Sequence, residues 1–210
     1  MTYLTRISGW GNYPSQEAQL LTPSSPTSLN VFVRQEKTLI ARGMGRSYGD
    51  SANASKVMQT LHFDHFIEFD EDTGKLTAEA GITLREILKV IVPKGWFLPV
   101  TPGTSYVTLG GAIASDVHGK EHHREGCFSE SLIKIRLLIN KDEIIEFNKK
   151  DHPNLFQSTC GGMGLTGFIV EAEIECKKIS STNINYKKEI NYNLEQVLLC
   201  FERFKDHNYS

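Results

Sequence analysis

Directly after the apolar run Thr38-Leu-Ile-Ala41, the chain carries the turn Ala41-Arg-Gly-Met-Gly-Arg-Ser-Tyr-Gly-Asp-Ser51. Glycines at a strand end let the backbone take positive φ and let a ligand approach its N–H groups. Successive N–H groups in such a turn form an anion-binding nest, to which Arg42, Arg46, Ser47 and Ser51 can add donors. The segment describes a cradle for phosphate or pyrophosphate; read alone, it fits an ordinary glycine-rich turn equally well. Its spacing, Gly-x-Gly-x-x-x-Gly, misses the dinucleotide fingerprint by one residue, and no Gly-Lys-Ser/Thr ending marks a P-loop. The extended-looking Val57–Leu61 follows, rather than an amphipathic helix.

Two further glycine-rich segments weigh against the plain turn. Residues 99–120 read Pro-Val-Thr-Pro-Gly-Thr-Ser-Tyr-Val-Thr-Leu-Gly-Gly-Ala-Ile-Ala-Ser-Asp-Val-His-Gly-Lys, and residues 161–169 read Gly-Gly-Met-Gly-Leu-Thr-Gly-Phe-Ile. With Ile7-Ser-Gly-Trp-Gly11, Asp116-Val-His-Gly-Lys-Glu-His-His123 and Leu155-Phe156, they form an ordered set over about residues 4–178. This set resembles the FAD-binding (PCMH-type) domain of the vanillyl-alcohol-oxidase superfamily. Within the superfamily the likeness is to the FAD-linked sugar oxidases of the decaprenylphosphoryl-β-D-ribose 2-oxidase branch.

Composition sets limits around that resemblance. A chain of 210 residues, 40% hydrophobic and with net charge −2, is long enough for one domain with a real core, in two lobes. The near-neutral balance leaves no basic stripe for nucleic acid. No apolar run is long enough to span a bilayer, and the first residues contain no signal-peptide core. Cys127, Cys160, Cys176 and Cys200 form no Cys-x-x-Cys pair, which fits a reducing, cytoplasmic setting, peripheral to the inner membrane if the substrate is lipid-linked.

The local patterns predict a helix at 27–35 capped by Thr27 or Ser28, strands at 38–42 and 57–61, and a hairpin about 70–74 with a solvated acidic tip. Thr83 caps a helix at 84–92 whose Leu84, Ile87, Leu88 and Ile91 share one face. Strands follow at 132–139, 143–148 and 168–176, the last with period-two alternation. A two-lobed α+β domain results: a small mixed α/β lobe (about 1–98) and a larger, mainly antiparallel β lobe with flanking helices (about 99–178). The glycine loops meet between the lobes. Residues 179–210, with a strand at 187–192 and a helix at 194–204, start a separate C-terminal substrate or cap unit. The reading favours a fragment of a longer enzyme over a stand-alone cofactor module.

The resemblance implies FAD as cofactor. Its pyrophosphate would lie along Ala41, Arg42, Gly43, Met44, Gly45, Arg46, Ser47, Tyr48, Gly49, Asp50 and Ser51. A second loop would wrap it with Gly103, Thr104, Val107, Thr108, Leu109, Gly110, Gly111, Ser115, His118 and Gly119, and a third with Gly164, Gly167 and Ile169. Family members commonly link the flavin to a histidine in a Gly-x-Gly-His-Ser loop; Arg46 occupies that position, which implies a non-covalent FAD. The implied reaction is oxidation of a secondary alcohol of a sugar or polyol, phosphorylated or lipid-linked in some relatives, with hydride passing to flavin N5. His118 and Lys120 are the candidate catalytic-pocket residues, and the general base is unassigned. Two alternatives stand beside this: a nucleotide- or FAD-binding module without chemistry of its own, and a UDP-sugar reductase-like flavoprotein of the same fold. His118, His122 and His123 lack the spacing of a metal site. Asp50 and Asp116 read as turn-satisfying residues, and Trp10 and Trp96 as packing residues.

Overall fold

The computed structural model describes residues 2–140 and 143–209. A hairpin of β1 (Thr2–Ser8) and β2 (Ser15–Leu21) opens the fold, in register from Thr2 opposite Leu21 to Ser8 opposite Ser15. After helix α1 (Pro26–Gln35), strands β3 (Ile40–Arg42) and β4 (Lys56–Gln59) pair parallel to each other, and β4 pairs parallel to β2. The sheet order is β1-β2-β4-β3, with β1 antiparallel to β2 and the other pairs parallel. The α1 cap is Ser25, two positions before Thr27 and three before Ser28, the predicted residues. Ser25 accepts the Ser28 N–H and the Ser28 side chain reciprocates, so Pro26 occupies the first helical turn, where no N–H is needed.

The second sheet is antiparallel throughout, in the order β5 (Phe66–Phe69), β6 (Lys75–Glu79), β10 (Phe168–Glu175), β8 (Leu132–Asn140) and β9 (Glu143–Phe147). Sheet membership therefore changes between Gln59 and Phe66 rather than near residue 98, because β6 pairs with β10 across a long sequence separation. Helix α2 (Leu84–Ile91) and β7 (Trp96–Phe97) follow β6. Helices α3 (Leu109–Ala114) and α4 (His122–Glu125) precede β8, and α5 (Pro153–Thr159) precedes β10.

One core lies between this sheet and α2, α3 and α5, built from residues such as Ile87, Ile113, Ile135, Phe147 and Phe156. A register shift between Ile169 and Glu171 breaks the alternation of β10. It sends Phe168 and Val170 toward Leu29, Met58 and Phe63 of the first lobe, while Ile169, Ala172 and Ile174 face the main core. One strand thereby fastens both lobes. Trp96 packs in that core with its indole N–H donating to the Glu71 carbonyl.

Beyond β11 (Lys177–Lys178), which pairs with β7, the predicted strand at 187–192 does not form. Among the described residues, no strand pairs with this segment. Helix α6 (Leu194–Phe204) does form, capped by Asn193. Among the described residues no helix is long and apolar enough to cross a membrane.

Candidate functional site

The loop after β3 is shaped by the Arg42 side chain. The guanidinium donates to the Ser8 carbonyl at 2.6 Å, the Ala52 carbonyl at 3.1 Å and Asn53 Oδ1 at 2.9 Å. It thus joins both ends of the loop to the end of β1, and burial lowers its pKa from the ordinary arginine value. Arg42 is the loop's fastener rather than a free phosphate donor, which corrects the role its position suggests. Arg46 differs: it is exposed and makes no ion pair among the described residues.

Backbone geometry completes the cradle. Gly45 and Gly49 take φ of +62° and +61°. Gly43 abuts the start of α3 so closely that a Cβ there would lie 2.2 Å from Thr108 Oγ1. Thr108 cannot yield, because that oxygen caps α3 by accepting the Gly111 N–H at 3.1 Å. Among the described residues, the N–H groups of residues 44–49 have no hydrogen-bond acceptor. A run of unpaired donors beside a free guanidinium suits a multiply charged anion.

The loop faces a cavity of about 600 Å³, within the range of cofactor and ligand sites. The opposite wall is the 102–111 segment and the end of α3; the 163–169 segment and Ile169 of β10 close a third side. All but four of the sequence-predicted cofactor residues line this cavity. Gly49 and Asp50 lie outside it at the turn's far end, and the Leu109 side chain is buried in the core instead. Gly119 lines an adjoining cavity of about 510 Å³.

Lys120 also lies in that second cavity, with Glu121, His122 and Tyr209, while His118, Pro102 and Gly103 line both. The two predicted pocket residues are therefore split: His118 stands at the junction and Lys120 beyond it. The His118 and His122 rings pack with centroids 5.7 Å apart. The segment after α6 runs back to α4, where His123 Nε2 lies 3.0 Å from the His207 carbonyl and Arg124 donates to the Asp206 carbonyl at 2.5 Å.

Sequence reasoning missed several wall residues. Trp10 was expected in the packing, yet it is 61% exposed and lines the cavity. Its backbone N–H donates to the Ser47 carbonyl at 2.9 Å, and its ring meets Tyr48 edge-on at 5.8 Å. Ala80 and Thr60 also reach the cavity, with nothing in their identity to announce it; Met163 sits beside the glycines already singled out.

Residues 21–148 match the family described as FAD binding domain. The chain belongs to this FAD-binding family. FAD is the family's cofactor, and the unpaired donors and free guanidinium of the 44–49 loop fit its pyrophosphate. The chain is 31% identical to decaprenylphosphoryl-beta-D-ribose oxidase of Mycolicibacterium smegmatis across its whole length, spanning 47% of that protein. It is 24% identical to L-galactono-1,4-lactone dehydrogenase, mitochondrial, of Arabidopsis thaliana, over 96% of this chain and 35% of that one. A further relative, D-arabinono-1,4-lactone oxidase of Kluyveromyces lactis, is 24% identical over 77% of this chain and 31% of its own. The chain thus spans half or less of the length of these relatives. Two solved structures of alkyldihydroxyacetonephosphate synthase share the fold, with TM-scores of 0.64 and 0.67 at 19% and 18% identity. They cover 76% and 78% of this chain and 32% of their own length. The resemblance read from the glycine loops and the Asp116–His123 segment is borne out.

Proposed function

We propose that the chain holds FAD without a covalent link and is the cofactor-binding part of an oxidoreductase acting on a secondary alcohol of a sugar or polyol. The observation that carries this reading is the convergence of three glycine segments and His118 on one cavity. The pyrophosphate goes to the N–H groups of residues 44–49 and to Arg46. The 103–111 segment, Ser115 and the 164–169 segment hold the rest of the cofactor from the facing walls. Arg46 stands where the family's flavin-linking histidine would be, which supports a non-covalent cofactor.

Bound FAD supplies the two-electron acceptance that no protein side chain provides. The chain's own residues do the binding and orienting. His118, at the junction of the cavities, is placed to contact the alcohol being oxidised. Lys120, in the second cavity, supplies a cation for a further hydroxyl or a phosphate on the same substrate. The names of the oxidase, lactone oxidase and lactone dehydrogenase relatives support a sugar-like substrate. Residues 1–178 form the cofactor domain, and 179–210 begin a unit that covers the second cavity, as the position of Tyr209 on its wall suggests.

The test is an absorbance spectrum of the purified chain with added FAD, repeated on the supernatant after acid precipitation. Flavin bands that appear with the protein and move to the supernatant are expected. Bands left in the pellet would refute the non-covalent reading, and a chain that takes up no flavin would refute cofactor binding by this part alone. Bleaching of the bound flavin by a polyol, once the rest of the enzyme is present, separates an oxidoreductase from a module that only holds nucleotides.

A further inference from the structure

We infer that Glu121, with Asp116 at the opposite end, is a positioning residue that fixes the Val117–Lys120 turn against the Thr101–Thr104 turn. It thereby sets where His118 stands between the two cavities. The inference about His118 rests on the cofactor reading above; the mechanical link between the turns does not.

His118 and Lys120 are exposed, so their turn gains little from burial of its own side chains. It is held at its ends. At the first, Asp116 takes φ of +41°, a left-handed conformation that disfavours a non-glycine residue. Its carboxylate accepts the Ser129 N–H at 2.8 Å and the Ser129 hydroxyl at 3.1 Å, which keeps the residue there. The chain therefore leaves α3 in a fixed direction toward His118.

At the second end, Glu121 is only 1% exposed, and its carboxylate accepts the Thr101 N–H. No lysine, arginine or histidine pairs with it among the described residues. Thr101 immediately precedes Pro102 and Gly103, which line both cavities. A Cβ added at Gly119 would lie 2.0 Å from the Thr101 carbonyl and 2.6 and 2.7 Å from the two Glu121 oxygens. The carboxylate is thus folded under the Gly119 backbone, wedged between the two turns. A buried carboxylate held by a neutral N–H is an unfavourable way to fill space, so an apolar side chain of similar volume would serve packing better. What the carboxylate provides, and an apolar chain would not, is the acceptor that ties one wall to the other.

The experiment compares Glu121→Met, which fills the space without an acceptor, with Glu121→Gln, which keeps one. Both are made in the 210-residue chain. Amide hydrogen exchange without FAD should quicken about tenfold at Thr101, whose N–H the carboxylate accepts, and at Val117, whose N–H donates to the Ala112 carbonyl, in E121M, and stay as in the parent in E121Q. With FAD added, E121M should bind about tenfold more weakly and show altered visible circular dichroism of the flavin, while E121Q matches the parent. Asp116→Ala should quicken exchange over 115–118, and Asp116→Asn should not. Parental exchange in E121M would overturn the inference whatever the flavin does. Loss in E121Q equal to that in E121M would overturn it too, since charge and not tethering would then be at work. A parent chain that takes up no flavin would count against the proposed function alone, because the exchange result still decides the tether.

Discussion

Arg42 and Arg46 flank the same glycines, yet one guanidinium satisfies three acceptors within the fold and the other is unpaired among the described residues. Their replacement should separate stability from binding. Arg42→Ala leaves the Ser8 and Ala52 carbonyls and Asn53 Oδ1 without their donor, and should lower stability by about 2–4 kcal/mol. Arg46→Ala should change stability by no more than about 0.5 kcal/mol. It should instead weaken FAD binding, most strongly at low salt, where an exposed cation is least screened. Thermal melts and FAD titrations at two ionic strengths check both; an Arg46→Ala chain that melts as early as Arg42→Ala would refute the division of roles. Sequence could not make this distinction. It places both arginines beside glycines, and only the return of the chain at Ala52 and Asn53 shows which one is enclosed. Trp10 and Trp96 tell the same story, since one lines a cavity wall and the other lies in the core.

Elements were legible where side chains and caps agree. Helix α2 has both signals: Leu84, Ile87 and Ile91 buried on one face, and a reciprocal cap between Thr83 and Glu86. In that cap the Thr83 hydroxyl donates to Glu86 Oε2 at 2.6 Å and the Thr83 N–H donates at 3.0 Å. These bonds, the hydroxyl first, hold the Glu86 carboxyl below its usual pKa. A depressed carboxylate contributes stability that is complete above its unfolded pKa and is lost as pH falls through the folded value. Thr83→Ala should therefore cost about 1 kcal/mol at neutral pH, with the gap to the parent narrowing below about pH 4. Melting temperatures across that range test it, and a gap that widens on acidification would contradict the assignment. By contrast α3, Leu-Gly-Gly-Ala-Ile-Ala, carries two glycines in six residues and reads as a loop, since glycine disfavours helix. It forms because the Thr108 cap and the burial of Leu109, Ala112 and Ile113 outweigh that preference. The same glycines let the helix pack closely, since a Cβ at Gly110 would lie 2.9 Å from Ala80 Cβ. The strand expected at 187–192 failed for the opposite reason: its composition was suitable, but among the described residues no strand pairs with it.

For the whole molecule, the core ends before the chain does. The last residue in any of the buried clusters is Cys176, whose thiol burial pushes up to about 12. Beyond it, Ile184, Tyr186, Ile190, Tyr192, Leu198 and Phe201 are all more than half exposed. Surface of that kind marks a contact face or favours association. The contacts that bring the segment back, from His123, Arg124 and Lys177 to residues 206–209, are exposed polar or ring contacts of small individual worth. Removing residues 181–210 should accordingly cost less than about 1 kcal/mol, a fall in melting temperature of about 2–4 °C at most for a domain of this size. Sedimentation velocity should show concentration-dependent association in the longer chain and none in the shorter. A shortened chain that loses its cooperative transition would make 179–210 an integral part of the cofactor domain. A shortened chain that melts normally but still associates would place the sticky surface elsewhere, with the exposed Tyr3, Leu4 and Tyr13 of the opening hairpin next to be tested.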